Sequence, residues 1–463
     1  MSLVITSTSS GTKEPFDISG RPVRMYVCGM TPKFHPHVGH ARIFVAADII
    51  RRHLEYRGYE VRHVQNFTDV DDKIIARANA EGTTAEDVAK RYSDSYFEVM
   101  DSLNVLRAHV YPTVSGSMGA IIDYVQGLIQ RGYGYAVDGD VYFEVGKFED
   151  YGQLSGRTDE GQLVGVRKDI EPGKRDPRDF ALWKSAKPGE PAWSSPWGMG
   201  RPGWHIECSA MVRETLGDSI DIHGGGRDLI FPHHENELAQ SEAYTGVHPF
   251  VRYWAHAGLV TTGSEKMAHS LENFTTIVDV LREFDPPTLR LFLMQTHYRS
   301  PLLFNREAVE NAARALTRLR SALDGFQEGA AAPAPAPAYV LQARTAFDSA
   351  MDDDFNTPGA LGAMFDLVRE TNRRRGAADH LAGQVELVQL ARLLGLTLEP
   401  PATGDREGDI GPFVDLLVEV RRKLREAKQW QLADEIRDQL GDLGITIEDG
   451  RDGVTWRRAS AQQ

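Results

Sequence analysis

The chain has 463 residues, of which 41% are apolar and 25% charged, and a formal net charge of −14. That length is too great for one compact core and calls for about two to four domains, while the negative charge excludes nucleic-acid binding by bulk attraction and leaves only a local basic track. Two cysteines, far apart, exclude a disulfide framework and fit a reducing cytosol.

The opening "MSLVITSTSSGTKEPF" has neither the basic start nor the apolar core of a secretory signal. No stretch approaches the roughly 20 apolar residues of a membrane span, so a cytoplasmic protein with no membrane partner is expected. "VRMYVCG" (23–29) and "EVRHVQNFTD" (60–69) read as buried strands. Between them, "GHARIFVAADIIRRHLEYRG" has helical periodicity and stops at Gly58. Strand, helix and strand of this length predict a βαβ unit and a parallel sheet. "TDVDDKIIARANAEGTTAEDVAKRYSDSYFEVMDSLNV" predicts two helices.

From about 115 to 200 the texture changes. "GDVYFEVGKFEDYGQLSG" predicts short antiparallel strands, and "VRKDIEPGKRDPRDF" and "KPGEPAWSSPWGMGRPGW" read as loops. This segment is read as an insertion into an α/β domain. The α/β pattern resumes at "DSIDIHGGGRDLIFPHHENELAQSEAYTG". After about 305 the chain is expected to be helical, interrupted by the Pro-Ala linker "AAAPAPAPA" (330–338).

Four groups of residues carry chemistry. Cys28 ends the first strand, Cys208 lies in "GWHIECSAM", and His233 and Glu237 form an i, i+4 pair on one helix face. Two thiolates, an imidazole and a carboxylate suit tetrahedral zinc. By spacing alone the plainer reading is that the two cysteines are small buried hydrophobes. "HPHVGHA" puts His37, Gly39 and His40 at a helix N-terminus, where phosphate is favoured. The plainer reading is a capped helix with surface histidines. "IHGGGRDL" (222–229) offers Gly224, Gly225 and Gly226 as room for a flat ring, or a flexible loop. "TTGSEKMAHSLEN" offers a mobile loop with Lys266, or one solvated lysine.

Their order along the chain is more specific than any one of them. H-x-G-H after the first strand and K-M-x-x-S late in the α/β region resemble the two signatures of class I aminoacyl-tRNA synthetases. "MYVCG", "NFTDVDDKII", "KRDPRDFALWK", "GRPGWHIECSAM" and "IHGGGRDLIFPHHENELAQSEA" narrow this, and the chain resembles the cysteinyl-tRNA synthetases from near residue 3 to its end.

The resemblance implies a Rossmann-type catalytic domain (1–115 and 200–305) with stem-contact region and a connective insertion (115–200). A helical bundle (306–400) and a small anticodon-binding tail (401–463) would follow. It implies that Cys28, Cys208, His233 and Glu237 bind one zinc ion, which takes the thiolate of substrate cysteine. His37, His40 and Lys266 would act on phosphates. Gly39, Gly224, Gly225, Gly226, Asp228 and His269 would contact ATP, which arrives with magnesium. Gly29, Thr68, Trp204 and His205 would line the cysteine pocket. The partners implied are cysteine tRNA, cysteine and ATP, and the expected state is a monomer. Basic surfaces for tRNA are offered by "NRRR" (372–375) and "RRKLREAK" (421–428), while Trp430 reads as a base stacker or, better, a core aromatic.

Two departures stand out. The family's K-M-S-K-S is K-M-A-H-S here, so a lysine is replaced by His269, which is mostly neutral near pH 7. The family's Tyr-Asp is Lys33-Phe34 here, and Lys33 is a candidate to supply the missing charge. Two rivals remain: a mycothiol-ligase-like enzyme joining cysteine to a sugar amine, and a degenerate paralogue that charges nothing.

Overall fold

The computed structural model describes residues 2–157, 173–262, 265–266 (backbone only), 275–327, 329–331, 334–398, 411–443, 445–450 and 453–458. The chain divides into two compact units, 1–399 and 400–463.

The heart of the first unit is a four-stranded parallel sheet. Its order is Val251–Ala257, Ile220–Gly226, Val23–Val27, Val61–Gln65. Central strands of a parallel sheet are covered on both faces, so they read as continuous apolar runs, and Val23, Met25, Tyr26 and Val27 are all buried. The predicted βαβ unit is present. Its helix runs Val38–Tyr56, and Gly58 follows in the left-handed conformation at φ 86°. The two helices expected next are Asp72–Glu81 and Ala85–Ser102. Asp71 caps the first through Lys73 N, Thr84 caps the second through Asp87 N, and Gly82 ends the first at φ 66°.

The inserted segment begins with the helix Met118–Gln130 and continues as a five-stranded antiparallel sheet. The stretch 187–204, expected to be loop, contains the hairpin Trp193–Ser195 and Gly198–Pro202. Its strands are too short for an apolar alternation to show, and the turn is made by Gly198 at φ 118°. The stretch 166–180 lies partly outside the described residues.

Helices Arg306–Ser321, Ala338–Asp352, Thr357–Arg373 and His380–Leu393 complete the first unit. The second unit pairs helices Gly411–Glu426 and Trp430–Asp442, but it ends in an antiparallel hairpin, Ile445–Gly450 with Gly453–Arg458. The expectation of helix throughout is corrected there. Val414, Leu440 and Ile445 form the small core of this unit, and Trp456 Nε1 donates to Asp415 at 2.8 Å. No described helix is long and apolar enough to cross a membrane.

The later helices are tied to the sheet layer by a buried ion cluster. Asp48 accepts from Arg52 Nε at 2.8 Å, from Leu106 N at 2.8 Å and from Arg290. Arg290 also donates to the carbonyls of Leu103 at 2.8 Å and Leu394 at 2.9 Å. Burial alone would raise the Asp48 pKa, but Arg290, Arg52 and the Leu106 amide hold it below the usual carboxylate range. Removing the carboxylate strands Arg290 in the core, so Asp48→Ala is expected to cost about 3–5 kcal/mol at neutral pH. A group with a depressed folded pKa contributes above its unfolded pKa and loses that contribution as pH falls through the folded value. The gap between wild type and Asp48→Ala, read from denaturant midpoints, should therefore close as the pH drops below about 4.

Candidate active site

Three separate segments converge at the C-terminal end of the sheet. Cys28 follows directly on the strand Val23–Val27, and its N donates to Gly224 O at 3.0 Å, which locks it to the neighbouring strand. Cys208 lies in the second turn of the helix Trp204–Leu216. His233 is the penultimate residue of the wide turn Ile230–His234, and Glu237 lies in the first turn of the helix Glu235–Thr245. One ligand atom from each of these four buried residues falls within 4.8 Å of all the others.

The helix carrying Glu237 is fixed from the insertion. Buried Glu235 accepts from the amides of Gly152 at 3.0 Å and Ser155 at 2.7 Å. Glu237 itself is bonded on both oxygens, to His233 Nε2 at 2.8 Å and to His223 Nε2 at 2.9 Å. Burial would raise the Glu237 pKa, yet the two imidazoles hold it well below normal. Burial would likewise lower His233, but Glu237 and Cys208 outweigh it and bring its pKa up to about 10. The thiols split: the hydrogen bond from Cys28 draws Cys208 down, while burial, then Cys208 and Glu237, push Cys28 up. The cluster thus gathers protons onto a buried anionic set. That electrostatic demand and the soft sulfur donors both fit a zinc ion.

A second quartet, Cys28, His223, His234 and Glu237, is equally compact. Cys28 and Glu237 belong to both, and the first is the better candidate because its His233 reaches open space through Trp204. Cys28 and Trp204 line a cavity of about 720 Å³, and the Trp204 ring stacks on His233 at 4.3 Å. In the second, His223 stacks on Trp254 at 4.8 Å and His234 Nδ1 is bonded to His256 at 2.7 Å, both in the buried interior.

The same cavity is lined by His37, Gly39, His40, Gly226 and Asp228. His37 is the N-cap of the helix Val38–Tyr56, and its ring stacks on His40 at 3.8 Å. His40 Nδ1 accepts from His37 N at 3.2 Å, which fixes the neutral tautomer with its proton on Nε2. Burial, then His37 and Lys33, keep the His40 pKa well below normal. A Cβ at Gly39 would lie 2.8 Å from His37 Cε1, so glycine allows the ring to fold over the helix start.

The other candidates divide. Gly29 lines the cavity, and its N donates to Asn66 Oδ1 at 2.9 Å. Trp204 lines it too and is 43% exposed. Thr68 is buried behind this wall, next to Asn66 Nδ2 at 3.4 Å, and His205 packs against His233 with its Nδ1 at 3.0 Å. Gly224 and Gly225 do not line the cavity. Added Cβ atoms there would meet Val27 at 3.3 Å and His234 at 2.8 Å, so these glycines serve sheet packing, and only Gly226 faces the open space. Lys266 is in the short strand Glu265–Lys266, with its side chain outside the described residues, as is His269.

Sequence reasoning missed His223, His234 and His256. His234 Nε2 lies 3.3 Å from Cys28 Sγ, so this buried histidine row backs the sulfur. The signal was present in "DIHGGG" and "FPHHENE", where a histidine flanks each glycine or ligand run. The proposed basic tRNA surfaces are largely internally paired: Arg373 and Arg374 bond Glu370, and Arg422 bonds Glu419 and Glu426. Trp430 is 54% exposed with Arg425 5.9 Å from its ring, so it is not a core aromatic.

Comparison with known proteins agrees with this geometry. Residues 16–314 match the family of tRNA synthetases class I (C) catalytic domains, 346–399 the DALR domain, and 407–457 the cysteinyl-tRNA ligase anticodon binding domain. The chain is 48% identical to the cysteine--tRNA ligase of Dehalococcoides mccartyi strain BAV1, covering 98% of this chain and 99% of that one. It is 49% identical to the Pseudomonas aeruginosa cysteine--tRNA ligase, over 99% and 100%. A solved Mycobacterium tuberculosis methionyl-tRNA synthetase with methionyl-adenylate shares the fold at TM-score 0.58 and 17% identity, over 86% of this chain and 94% of that one. With a catalytic-domain match over more than half its length and relatives of nearly 50% identity end to end, the chain belongs to the cysteine--tRNA ligases, ATP-dependent ligases of the class I aminoacyl-tRNA synthetases.

Proposed function

We propose that this protein activates cysteine with ATP and transfers it to the 3′ end of cysteine tRNA. The observation that carries the reading is the buried Cys28, Cys208, His233 and Glu237 set, whose Cys28 lines the same cavity as His37 and His40. The cysteine carboxylate attacks the α-phosphorus of ATP, and the bond to pyrophosphate breaks. A ribose hydroxyl of the tRNA end then attacks the acyl carbonyl and releases AMP. Neither step needs a covalent protein nucleophile, so the residues act by position and charge. His40, neutral with its proton on Nε2, is suited to donate to phosphate beside His37, while magnesium comes with the nucleotide. Gly226 and Asp228 border the space assigned to adenosine, and Lys266 and His269 are assigned to the loop over the phosphates. Trp204 and Gly29 wall the space assigned to the cysteine side chain, with Thr68 and His205 behind them.

Cys28, Cys208, His233 and Glu237 would hold zinc, which supplies a soft Lewis acid that takes a thiolate far better than the hydroxyl of serine. Shape alone discriminates poorly between side chains that differ by one atom. The match of residues 407–457 to an anticodon-binding domain supports tRNA rather than a sugar amine as acceptor. We read residues 1–115 and 200–305 as catalytic, 115–200 as the connective insertion, 306–400 as the helical domain and 401–463 as the anticodon tail. The protein is read as a cytoplasmic monomer.

Purified protein with ATP, magnesium and labelled cysteine should charge a cysteine tRNA transcript, and absence of charging by folded, zinc-bearing protein would refute the reading. Cys208→Ala should abolish stoichiometric zinc, measured by elemental analysis, and lower cysteine-dependent pyrophosphate exchange by at least about a hundredfold. At Gly29 a Cβ would fall 1.6 Å from Asn66 O. Gly29→Ala should therefore displace the wall beside Cys28, costing about 1–3 kcal/mol in thermal denaturation and slowing activation.

A further inference from the structure

We infer that Lys33 and Lys73 form a cation pair that holds a substrate phosphate on the wall of the active-site cavity, an inference that rests on the proposed reaction. Both line the cavity that contains His37 and His40. Lys33 lies on the connection between the strand Val23–Val27 and the helix Val38–Tyr56, and Lys73 in the first turn of the helix Asp72–Glu81. Two chain segments thus bring two ammonium groups to the wall of one cavity, where the charge of Lys73 acts on Lys33.

Such a like-charged pair is unfavourable by itself, and its surroundings do little to neutralise it. The anion facing Lys33 is Asp71, and its Oδ1 is already used in capping its own helix through Lys73 N at 2.8 Å. The next carboxylate, Asp72, is taken by Arg201 and by Lys184 at 3.7 Å, both on the five-stranded antiparallel sheet. Arg77, a third cavity-lining cation, is satisfied by Glu81 and lies over the Phe34 ring at 4.8 Å. It builds the wall without cancelling the pair. Lys33 is half-buried, and burial, then Lys73, lowers its pKa to about 8 against a smaller opposing effect of Asp71.

An ammonium pair beside a cavity, with one carboxylate, Asp71, facing it and the next, Asp72, engaged elsewhere, keeps a net positive charge that is matched by a multiply charged oxyanion. A phosphate offers several oxygens and cancels the mutual repulsion when it binds. Both substrates that enter this cavity carry phosphate: ATP, and the terminal nucleotides of tRNA. Neither lysine belongs to the candidate zinc-ligand set, so the pair acts on substrate position and not on the choice of amino acid.

Calorimetric titration of full-length, zinc-loaded protein reads this without requiring charging. The probes are inorganic pyrophosphate and, separately, a 5′-phosphorylated CCA trinucleotide. Lys33→Met is expected to weaken at least one of them about tenfold, the loss of one charge-assisted contact, with Lys73→Met weakening the same probe and Lys33→Arg remaining near wild type. A loss confined to pyrophosphate assigns the pair to the nucleotide, and a loss confined to the trinucleotide assigns it to the tRNA end. Unchanged binding of both probes in Lys33→Met overturns the pair, as does a wild type that binds neither. If the wild type binds a probe through Lys33 but charges no tRNA, the proposed reaction fails and the phosphate site stands. Lys33 is only half-buried and Lys73 is exposed, so unchanged thermal midpoints serve as the folding control.

Discussion

Glu237 is the carboxylate on which the rest of the site depends. It is completely buried, and it is bonded on one side to His233, from the candidate metal set, and on the other to His223, from the central strand. An unpaired carboxylate at that depth would be prohibitive. The two imidazoles, and the sulfur atoms beside them, make it tolerable by sharing protons across the cluster. A cation bound there would take over the same task. The chemistry and the stability of this end of the sheet are therefore one problem, solved by the same residues.

That constraint explains why the supporting structure is so polar. The helix carrying Glu237 is anchored by Glu235, which takes backbone amides of the insertion. Cys28 is held from its own strand, from Gly224 of the adjoining strand and from His234 behind it. The cluster is thus fixed by segments distant in sequence, and the insertion is part of the active-site scaffold as well as a surface addition. The side assigned to phosphate is built differently. There His37, Gly39 and His40 use one helix start, a local device that a short sequence motif can encode completely.

That difference decides what could be read in advance. The βαβ unit was legible because apolar period and Gly58 both speak locally, and H-x-G-H carried its own geometry. The four ligand candidates were named from residue type, from the i, i+4 spacing of His233 and Glu237 and from family resemblance, since the set is drawn from three segments distant in sequence. The buried row of His223, His234 and His256 was not seen, because its meaning comes from strand pairing across the sheet. Gly224 and Gly225 were read as ligand space for the same reason: only the packed structure shows Val27 and His234 occupying it. The terminal hairpin was missed although "ITIEDGRDGVTWRR" alternates around Gly-containing turns, because the helical pattern before it dominated the reading.

The central claim is that two protein thiolates and a substrate thiolate meet at one metal. Replacing zinc with cobalt and recording the thiolate-to-cobalt charge-transfer band tests it directly. The account expects a band for two thiolates in the free protein, a gain of about half again on adding cysteine, and no change with serine. A band that cysteine leaves unaltered, in protein that still binds cysteine, would contradict it.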